Sequence, residues 1–162
     1  MSDYCVVVAD GARARLFTLE QADIGESGPN LVEISDLANP ESNAAGKEIY
    51  SEDKSGRGVS TGGGGAHGYD DHRNQHIDET ERRFAKIVAA AAAGSVQQNK
   101  LGCLIVAAEP RMMGHLRDAM GPAVAGLKVK EVVKDLTKLS AYELHEHLAA
   151  DNVLPAREVG LF

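Results

Sequence analysis

The sequence predicts a mixed α/β fold with five strands and three helices. Three short, β-branched apolar segments separated by turn signals open the chain, and amphipathic helical segments alternate with two further apolar strands after them. The element order is therefore β-β-β-α-β-α-β-α. The 162 residues, 43% of them apolar, are expected to form one domain spanning 1–162.

The first three strands are predicted at residues 4–9, 12–19 and 31–37. Asp10-Gly11 separates the first two, and this dipeptide is a hairpin signal because both residues tolerate positive φ. The second strand alternates Ala14 and Leu16 with Arg13 and Arg15, so we interpret the two arginines as charges that face solvent. These strands are expected to form an antiparallel meander.

The helical pattern begins at Asp78. Ile77, Phe84, Ile87, Val88 and Ala91 share one face, and Gly94-Ser95 is expected to end or interrupt the helix. The spacing also predicts Asp78–Arg82 and Glu79–Arg83 ion pairs.

The second half of the chain contains two more strands and two more helices. Residues 101–108 are apolar without alternation, as in a strand buried on both faces, and residues 127–136 form the last predicted strand. Pro110 suits the first position of a helix, and Ser140 with Glu143 forms a capping-box pattern. Right-handed crossovers then predict a sheet ordered 3-2-1-4-5 with helices on both faces, which is the ribonuclease-H-like arrangement.

The most unusual segment is a predicted loop at about 39–76, which contains seven glycines between Gly56 and Gly68. Glycine lets a backbone approach another molecule closely, and long irregular connections are usually functional or disordered. We expect residues from about 55 to 68 to be mobile in the free protein. The binding candidates in this loop are Gly62, Gly63, Gly64, Gly65 and His67; the alternative is a flexible linker.

Two sets of arginines are candidates for contacts with phosphate or another anion. Arg73, Arg82 and Arg83 follow the glycine-rich loop and could contact RNA phosphates. Arg111 and Arg117 follow a central strand, at the edge of a parallel sheet where ligands often bind, and are a candidate anion site. An ordinary charged helix surface is the alternative for both sets.

Metal and cofactor sites have weaker signals. His72 and His76 would share a helix face if the helix began early, but we expect no metal there. Gly63-x-Gly65-x-x-Gly68 lies outside a βαβ unit, so it predicts no dinucleotide site, and no cofactor is expected. A two-metal nuclease would need several converging carboxylates, and Asp10, Asp36, Glu109 and Asp135 are the candidates.

Composition limits the compartment and the partners. The net charge of −7 disfavours a protein that coats nucleic acid by means of its overall electrostatic field. Local basic patches remain compatible with this charge. Cys5 and Cys103 lie in apolar runs and are expected to be buried, reduced thiols. The N-terminal residues carry no secretory pattern and no apolar run is long enough to span a bilayer, so we expect a cytoplasmic protein without membrane insertion.

A set of short motifs resembles the bacterial host-attachment protein family in the same order along the chain. The motifs are Ala-Asp-Gly-Ala-Arg-Ala-Arg-Leu-Phe at 9–17, Arg-Phe-Ala at 83–85, Val-Ala-Ala-Glu-Pro-Arg at 106–111, Gly-His-Leu-Arg at 114–117 and Lys-Asp-Leu-Thr at 134–137. That family is similar to the middle domain of archaeal and eukaryotic class I release factors. The resemblance implies the same ribonuclease-H-like fold and a role at the ribosome.

The chain departs from release factors at their functional motif. Their loop carries Gly-Gly-Gln, whereas Ala66 and His67 follow Gly65 here. We therefore interpret the protein as a host-attachment family member that binds the ribosome or structured RNA, and as a binding protein rather than an enzyme. The alternatives are a hydrolase, acting on a peptidyl-tRNA ester or as a metal-dependent nuclease, and a protein-interaction module involved in attachment.

Overall fold

The computed structural model describes residues 4–41, 66–121, 124 and 126–158, with the side chains of 66–73 outside the description. Its elements are β1 (Tyr4–Ala9), β2 (Arg13–Glu20), β3 (Asn30–Ala38), α1 (Ala66–Asn99), β4 (Cys103–Ala108), α2 (Pro110–Met120), β5 (Lys128–Val132) and α3 (Ala141–Ala150). The glycines Gly62, Gly63, Gly64 and Gly65 lie outside the described residues.

The five strands form one sheet in the order β3-β2-β1-β4-β5, as predicted. β1, β2 and β3 pair antiparallel, whereas β4 pairs parallel with both β1 and β5. Val6 lies opposite Ile105, so the first and fourth strands are the central neighbours that the sequence predicts. The Asp10-Gly11 hairpin is confirmed, because Asp10 N–H donates to the Arg13 carbonyl at 2.9 Å.

Helices cover both faces of the sheet. The side chains on both sides of the central strands are therefore buried. On the first face, which we call the α1/α2 face, Val7, Leu104 and Val106 pack with Phe84 of α1 and Leu116 of α2. On the opposite α3 face, strand and helix side chains form a second cluster that includes Val6, Phe17, Ile105, Leu144 and Leu148. Cys5 and Cys103 are buried on opposite faces, so the two thiols are apart.

The start of α1 at Ala66 corrects the expected loop, because residues 66–76 are helical. Among the helix residues whose side chains the structure describes, from Asn74 onwards, Thr80 is the first that is buried, and Asn74, Gln75 and His76 are all exposed. This part of the helix has no buried face among its described side chains, so it carries no apolar periodicity. The sequence pattern could locate only the part of the helix that packs on the sheet.

The end of α1 is also later than predicted. Gly94-Ser95 does not interrupt the helix, since Ala92 and Val96 on either side are buried and their packing offsets the roughly 1 kcal/mol cost of an interior glycine. The helix ends in a Schellman-type turn: Lys100 has a φ of 52° and Leu101 N–H donates to the Val96 carbonyl at 3.1 Å.

The buried face of α1 differs from the predicted stripe at one position. Phe84 and Val88 are fully buried, as the periodicity predicts, but the side chain of Ile87 is exposed. A stripe about 100° wide admits more residues than the sheet covers, and the sheet decides which of them are buried.

The second half of the chain follows the prediction with one correction. Glu109 caps α2 by accepting from Met112 N and Pro110 lies in its first turn, while Ser140 and Glu143 form the expected capping box of α3. β5, however, ends at Val132 rather than at Leu136. The chain turns there because Asp135 Oδ1 accepts from the Thr137 N–H at 3.1 Å and from its hydroxyl at 2.6 Å. Of the helices in the described part of the chain, none is long and apolar enough to cross a membrane.

Candidate functional site

The carboxyl ends of β1 and β4 meet at one edge of the sheet, where open α/β sheets usually bind ligands. Asp10 follows β1 and Glu109 follows β4. Asp10 Oδ1 accepts from Ala12 N and Arg13 N at 2.8 and 2.7 Å, which makes it a turn residue. Its other oxygen lies 3.2 Å from the Thr137 hydroxyl, whose one hydrogen it shares with Asp135, and this contact ties the β5–α3 loop to this edge.

Of the four carboxylates considered for a two-metal nuclease, Asp10 and Asp135 approach each other through the Thr137 hydroxyl, but Glu109 and Asp36 do not join them. Asp10 and Asp135 are held by local turns, Glu109 caps α2, and Asp36 pairs with Arg13 through two hydrogen bonds of 2.7 and 3.0 Å. Within the described ranges, no three His, Cys, Asp or Glu side chains are grouped so as to hold a metal ion. The geometry of these carboxylates therefore lends no support to the nuclease interpretation.

Glu81 is the acidic residue that the sequence analysis missed at this edge. It lies on the buried face of α1, one turn before Phe84, and its side chain fills the space beside Gly11. Burial raises the pKa of the Glu81 carboxyl, and the Arg111 guanidinium, with Nε 3.3 Å from Oε2, opposes that rise. Oε2 is buried and accepts no well-aligned hydrogen bond in the part of the chain that the structure describes.

A second polar contact joins α1 to α2 close to Glu81. His115 Nε2 of α2 lies 2.9 Å from Asp78 Oδ1 of α1, and His115 is largely buried. Asp78 therefore pairs across the helix interface rather than with Arg82 as predicted. Glu81, Arg111, His115 and Asp78 form one charged cluster between the two helices, which we call the interhelix cluster.

The predicted RNA-contacting arginines already have carboxylate partners. Arg83 forms a bidentate pair with Glu41, at 2.7 and 2.8 Å, and a longer contact of 3.2 Å with Glu79, which confirms the predicted i,i+4 pair. Arg82 pairs with Glu79 one turn earlier. The side chains of Arg82 and Arg83 are 53% and 42% exposed, so solvent still reaches both. The side chain of Arg73 lies outside the described residues.

Arg111 and Arg117, the candidate anion site, pair with carboxylates of two different elements. Arg111 pairs with Glu81 of α1, whereas Arg117 forms a bidentate pair with Glu131 of β5, at 2.6 and 2.8 Å. The two arginines are six residues apart on α2 and therefore lie on different sides of the helix, each against a different element. The structure therefore does not bring the two arginines together, and the joint anion site stays a prediction.

The histidine candidates all fall within α1. His67 lies in its first turn rather than in an irregular loop, and His72 and His76 are four residues apart, hence about one helical turn. His76 is exposed, while the side chains of His67 and His72 lie outside the description. The prediction about metal at this pair stays a prediction.

Arg15 is buried, which corrects its interpretation as a solvent-facing charge. β2 is an interior strand, so its side chains on the α3 face are covered. Arg15 pairs with Glu33 at 2.7 Å and donates to the Thr137 carbonyl at 3.1 Å. Its guanidinium also lies 4.9 Å from the centre of the Phe17 ring. Arg15 thus connects the meander to the β5–α3 loop, whereas Arg13 is exposed, as expected.

The fold and the charged edge define a mixed α/β protein whose polar groups gather where α1 and α2 meet the sheet. A family model described as "Protein required for attachment to host cells" matches residues 5–148. The chain belongs to this family, which confirms that part of the resemblance. Among curated proteins, none matches the chain.

Proposed function

We propose that this host-attachment family member is a cytoplasmic binding protein that contacts the ribosome or structured RNA through the glycine-rich segment and the N-terminal half of α1. The observation that carries the proposal is the length of α1 ahead of its packed part. The stretch from Ala66 to Thr80 measures about 21 Å at about 1.5 Å per residue. Its described residues Asn74, Gln75 and His76 are exposed and free to meet a partner.

The arginines beside this stretch suit phosphate contact because their present partners are weakly bound. Exposed ion pairs are worth about 0–1 kcal/mol, so exchanging Glu79 or Glu41 for a phosphate costs little. Phosphate pairing in addition releases counterions from the nucleic acid, which favours binding at low salt. The acidic net charge then limits binding to this local surface.

The test exploits the competition between carboxylate and phosphate. The Glu41→Gln and Glu79→Gln double variant frees Arg82 and Arg83, so ribosome co-sedimentation should become stronger. Glu26→Gln with Asp118→Asn makes the same change in net charge at exposed positions elsewhere and should have a smaller effect. If co-sedimentation increased equally in the two double variants, the increase would come from the net charge alone. Arg82 and Arg83 would then not belong to the interface.

Reversing the charge of the two arginines should have the opposite effect on ribosome co-sedimentation. Arg82→Glu with Arg83→Glu should weaken co-sedimentation and flatten its salt dependence, since fewer phosphates are neutralised. The control is Lys128→Glu with Lys138→Glu, which changes the net charge equally at two exposed lysines. Circular dichroism confirms the fold of each variant.

The glycine-rich segment is tested separately. Gly63→Val with Gly64→Val adds side chains where the proposal requires a bare backbone, so binding should be lost while circular dichroism is unchanged. Unchanged binding in this variant and in the arginine reversal would remove the ribosome and RNA proposal.

A protein-interaction module is the second candidate, and the edge strand β3 favours it. Val32 and Ile34 on this strand are 44% and 43% exposed, although the register shift at Leu16/Phe17 leaves Ile34 in a bulge, a feature that often limits edge pairing. Val32→Glu with Ile34→Glu should then abolish attachment of bacteria to host cells, while the arginine reversal should spare it. The reverse result would favour the RNA proposal.

A further inference from the structure

His145 of α3 is a buried histidine that neither the family description nor the proposed function involves. The residue is 1% exposed, on a helix whose Leu144 and Leu148 pack on the α3 face of the sheet. Burial disfavours a charged side chain unless another group pairs with it. Histidine is also the side chain that ordinarily changes its charge between about pH 5 and 8. A buried histidine is therefore a candidate for a pH-sensitive element.

The hydrogen bonds of His145 fit only its neutral form. Residues 153–158, which we call the C-terminal segment, follow α3 and bring the Pro155 carbonyl oxygen to 2.7 Å from Nε2. A carbonyl oxygen only accepts, so Nε2 carries the proton and donates. Nδ1 then holds a lone pair, and among the described residues this buried nitrogen has no hydrogen-bond partner. A second proton would bind Nδ1 and create a buried, charged N–H to which these residues offer no acceptor.

The charged side chains on the elements around His145 are paired elsewhere or exposed. They are Glu146 on α3, Arg157 and Glu158 in the C-terminal segment, and Glu33 on β3, against which α3 packs. Glu146 has a hydrogen bond with Tyr142. Arg157 Nε donates to Asn30 Oδ1 at 2.8 Å, Glu33 pairs with Arg15 at 2.7 Å, and Glu158 is exposed. None of the three carboxylates forms a hydrogen bond with Nδ1, so none is in place to accept from a protonated ring.

The end of the C-terminal segment is attached beside the start of an edge strand. The backbones of Gly28 and Glu158 exchange two hydrogen bonds, of 3.0 and 2.8 Å, and Gly28 lies just before β3. Arg157 adds its bond to Asn30, and its guanidinium lies 5.1 Å from the centre of the Tyr142 ring. Residues 155–158 are thus held by a small set of polar contacts, which can open locally without unfolding the core.

We propose that His145 is a pH-sensitive switch: in its neutral form it holds residues 155–158 beside β3, and its protonation releases them. The proton comes from solvent and binds Nδ1, and the imidazolium reaches water only if a neighbouring element moves. Leu144 and Leu148 fix α3 on the sheet, so residues 155–158 are the part that moves. Release frees the backbone N–H and C=O of Gly28 and so lengthens the exposed edge of β3. The inference does not depend on ribosome or RNA binding.

Proton linkage gives the direction of the switch. The open form can bind one more proton than the closed form, because its imidazole is in contact with water, so a fall in pH favours opening. One linked proton changes the opening equilibrium by at most about tenfold per pH unit.

Amide hydrogen exchange, followed by NMR on the full chain, measures this opening. The Gly28 and Glu158 amides are compared at about pH 7.5 and 5.5 as protection factors, which correct for the intrinsic effect of pH on exchange. Their protection should fall by about tenfold or more at the lower pH. The amides of Val153, which donates to the Leu148 carbonyl, and of Val7 in β1 should keep theirs. Unchanged protection at Gly28 and Glu158 would overturn the proposal, and so would an equal fall at Val7, which would indicate global unfolding.

The two histidines of α3 provide a matched pair of variants. His145→Gln keeps a side-chain N–H that can donate to the Pro155 carbonyl but removes the titrating ring, so protection at Gly28 and Glu158 should no longer depend on pH. His147→Gln replaces the more exposed histidine of the same helix and should keep the pH dependence of the parent. Loss of the pH dependence in both variants, or in neither, would contradict the assignment to His145.

The His145 ring gives a second test that does not require a variant to fold. NMR of the imidazole nitrogens follows the protonation of the ring with pH, and its midpoint should coincide with the midpoint of opening measured by exchange. A ring that becomes protonated while the Gly28 and Glu158 amides stay protected would show that His145 charges without releasing the segment, and the proposal would be wrong.

Discussion

Gly11 has no room for a side chain, because Glu81 occupies the space where a Cβ would be. An ideal Cβ at Gly11 would lie 2.3 Å from Glu81 Oε1 and 2.7 Å from its Cδ. A turn often requires glycine because the backbone has a positive φ. At position 11 the reason is instead that a buried carboxylate from α1 lies close to the backbone. The hairpin signal Asp-Gly predicted the turn without indicating that contact.

At this position, Gly11→Ala should lower the free energy of unfolding by about 1–3 kcal/mol, the usual cost of overpacking. Gly114→Ala is the matched control, since a Cβ there meets nothing within 4 Å and lies in the helical interior of α2. It should stabilise the protein by about 0.5–1 kcal/mol. Urea unfolding measures both changes. A neutral Gly11→Ala would mean that Glu81 is free to leave its position.

A rescue variant tests the cause of the effect at Gly11. Glu81→Ala removes the atoms that an alanine at position 11 would meet, so adding Gly11→Ala to Glu81→Ala should cost much less than it costs in the parent protein. If the stability losses of the two single variants simply added in the double variant, the cost of Gly11→Ala would come from the backbone rather than from Glu81.

At the scale of elements, α3 depends on its capping box. Ser140 Oγ accepts from Glu143 N at 3.1 Å, and Glu143 Oε1 accepts from Ser140 N at 3.0 Å. Hydrogen bonds from Ser140, first of all from its backbone N–H, hold the pKa of the Glu143 carboxyl below its ordinary value. The cap matters for the whole α3 face, because Leu144 and Leu148 on this short helix pack against the sheet.

Ser140→Ala should destabilise the protein by about 1 kcal/mol, since it leaves Glu143 N without its acceptor. Ser140→Asp keeps an acceptor at the N-cap and should stay within a few tenths of the parent value. Thermal unfolding compares the two variants. If both variants lost the same amount of stability, the effect would come from other contacts of the Ser140 hydroxyl rather than from capping.

At the scale of the whole molecule, arginine–carboxylate pairs tie the elements together and set the pH dependence of stability. Hydrogen bonds from Arg13, Arg83, Arg82 and Arg117 lower the pKa values of Asp36, Glu41, Glu79 and Glu131, respectively. Glu81 is the opposite case, since burial raises its pKa. With Glu143, five carboxyl groups have a lowered pKa and one, Glu81, has a raised pKa.

We therefore expect stability to fall in acid. A carboxylate with a lowered pKa contributes stability above its ordinary value, 3.8 for Asp and 4.5 for Glu, and this is lost as the pH falls through its lower folded value. Glu81 has the opposite sign: it gains stability as the pH falls through its raised pKa. The net result is a loss below about pH 4.5.

Urea unfolding at several pH values between about 7 and 3 measures how the free energy of unfolding falls in acid, which we call the acid limb. The pairs are exposed, so about 1 M salt should screen them and make the limb shallower than about 0.1 M salt does. A limb of the same slope at both salt concentrations would show that buried groups, rather than these surface pairs, control acid stability.

The sequence by itself determined the elements whose signals are local and the order in which they pair. Asp10-Gly11, Pro110 and the Ser140 capping box mark ends that depend on a few neighbouring residues, and all three are where the sequence indicates. The strand order followed from a meander and right-handed crossovers, which are general properties of polypeptide chains. Short motifs in a fixed order also indicated the family.

Only the tertiary structure decided which charges meet and which apolar positions are covered. Arg15 is buried, while Ile87, which fits the apolar stripe of α1, is exposed. Arg111 and Arg117 turn to different elements, and Glu81 meets Gly11 seventy residues earlier in the chain. Such pairings depend on contacts between distant segments, which no local pattern records. The start of α1, residues 66–76, was missed for a related reason: its described side chains, Asn74 to His76, are exposed, so no apolar periodicity marks it.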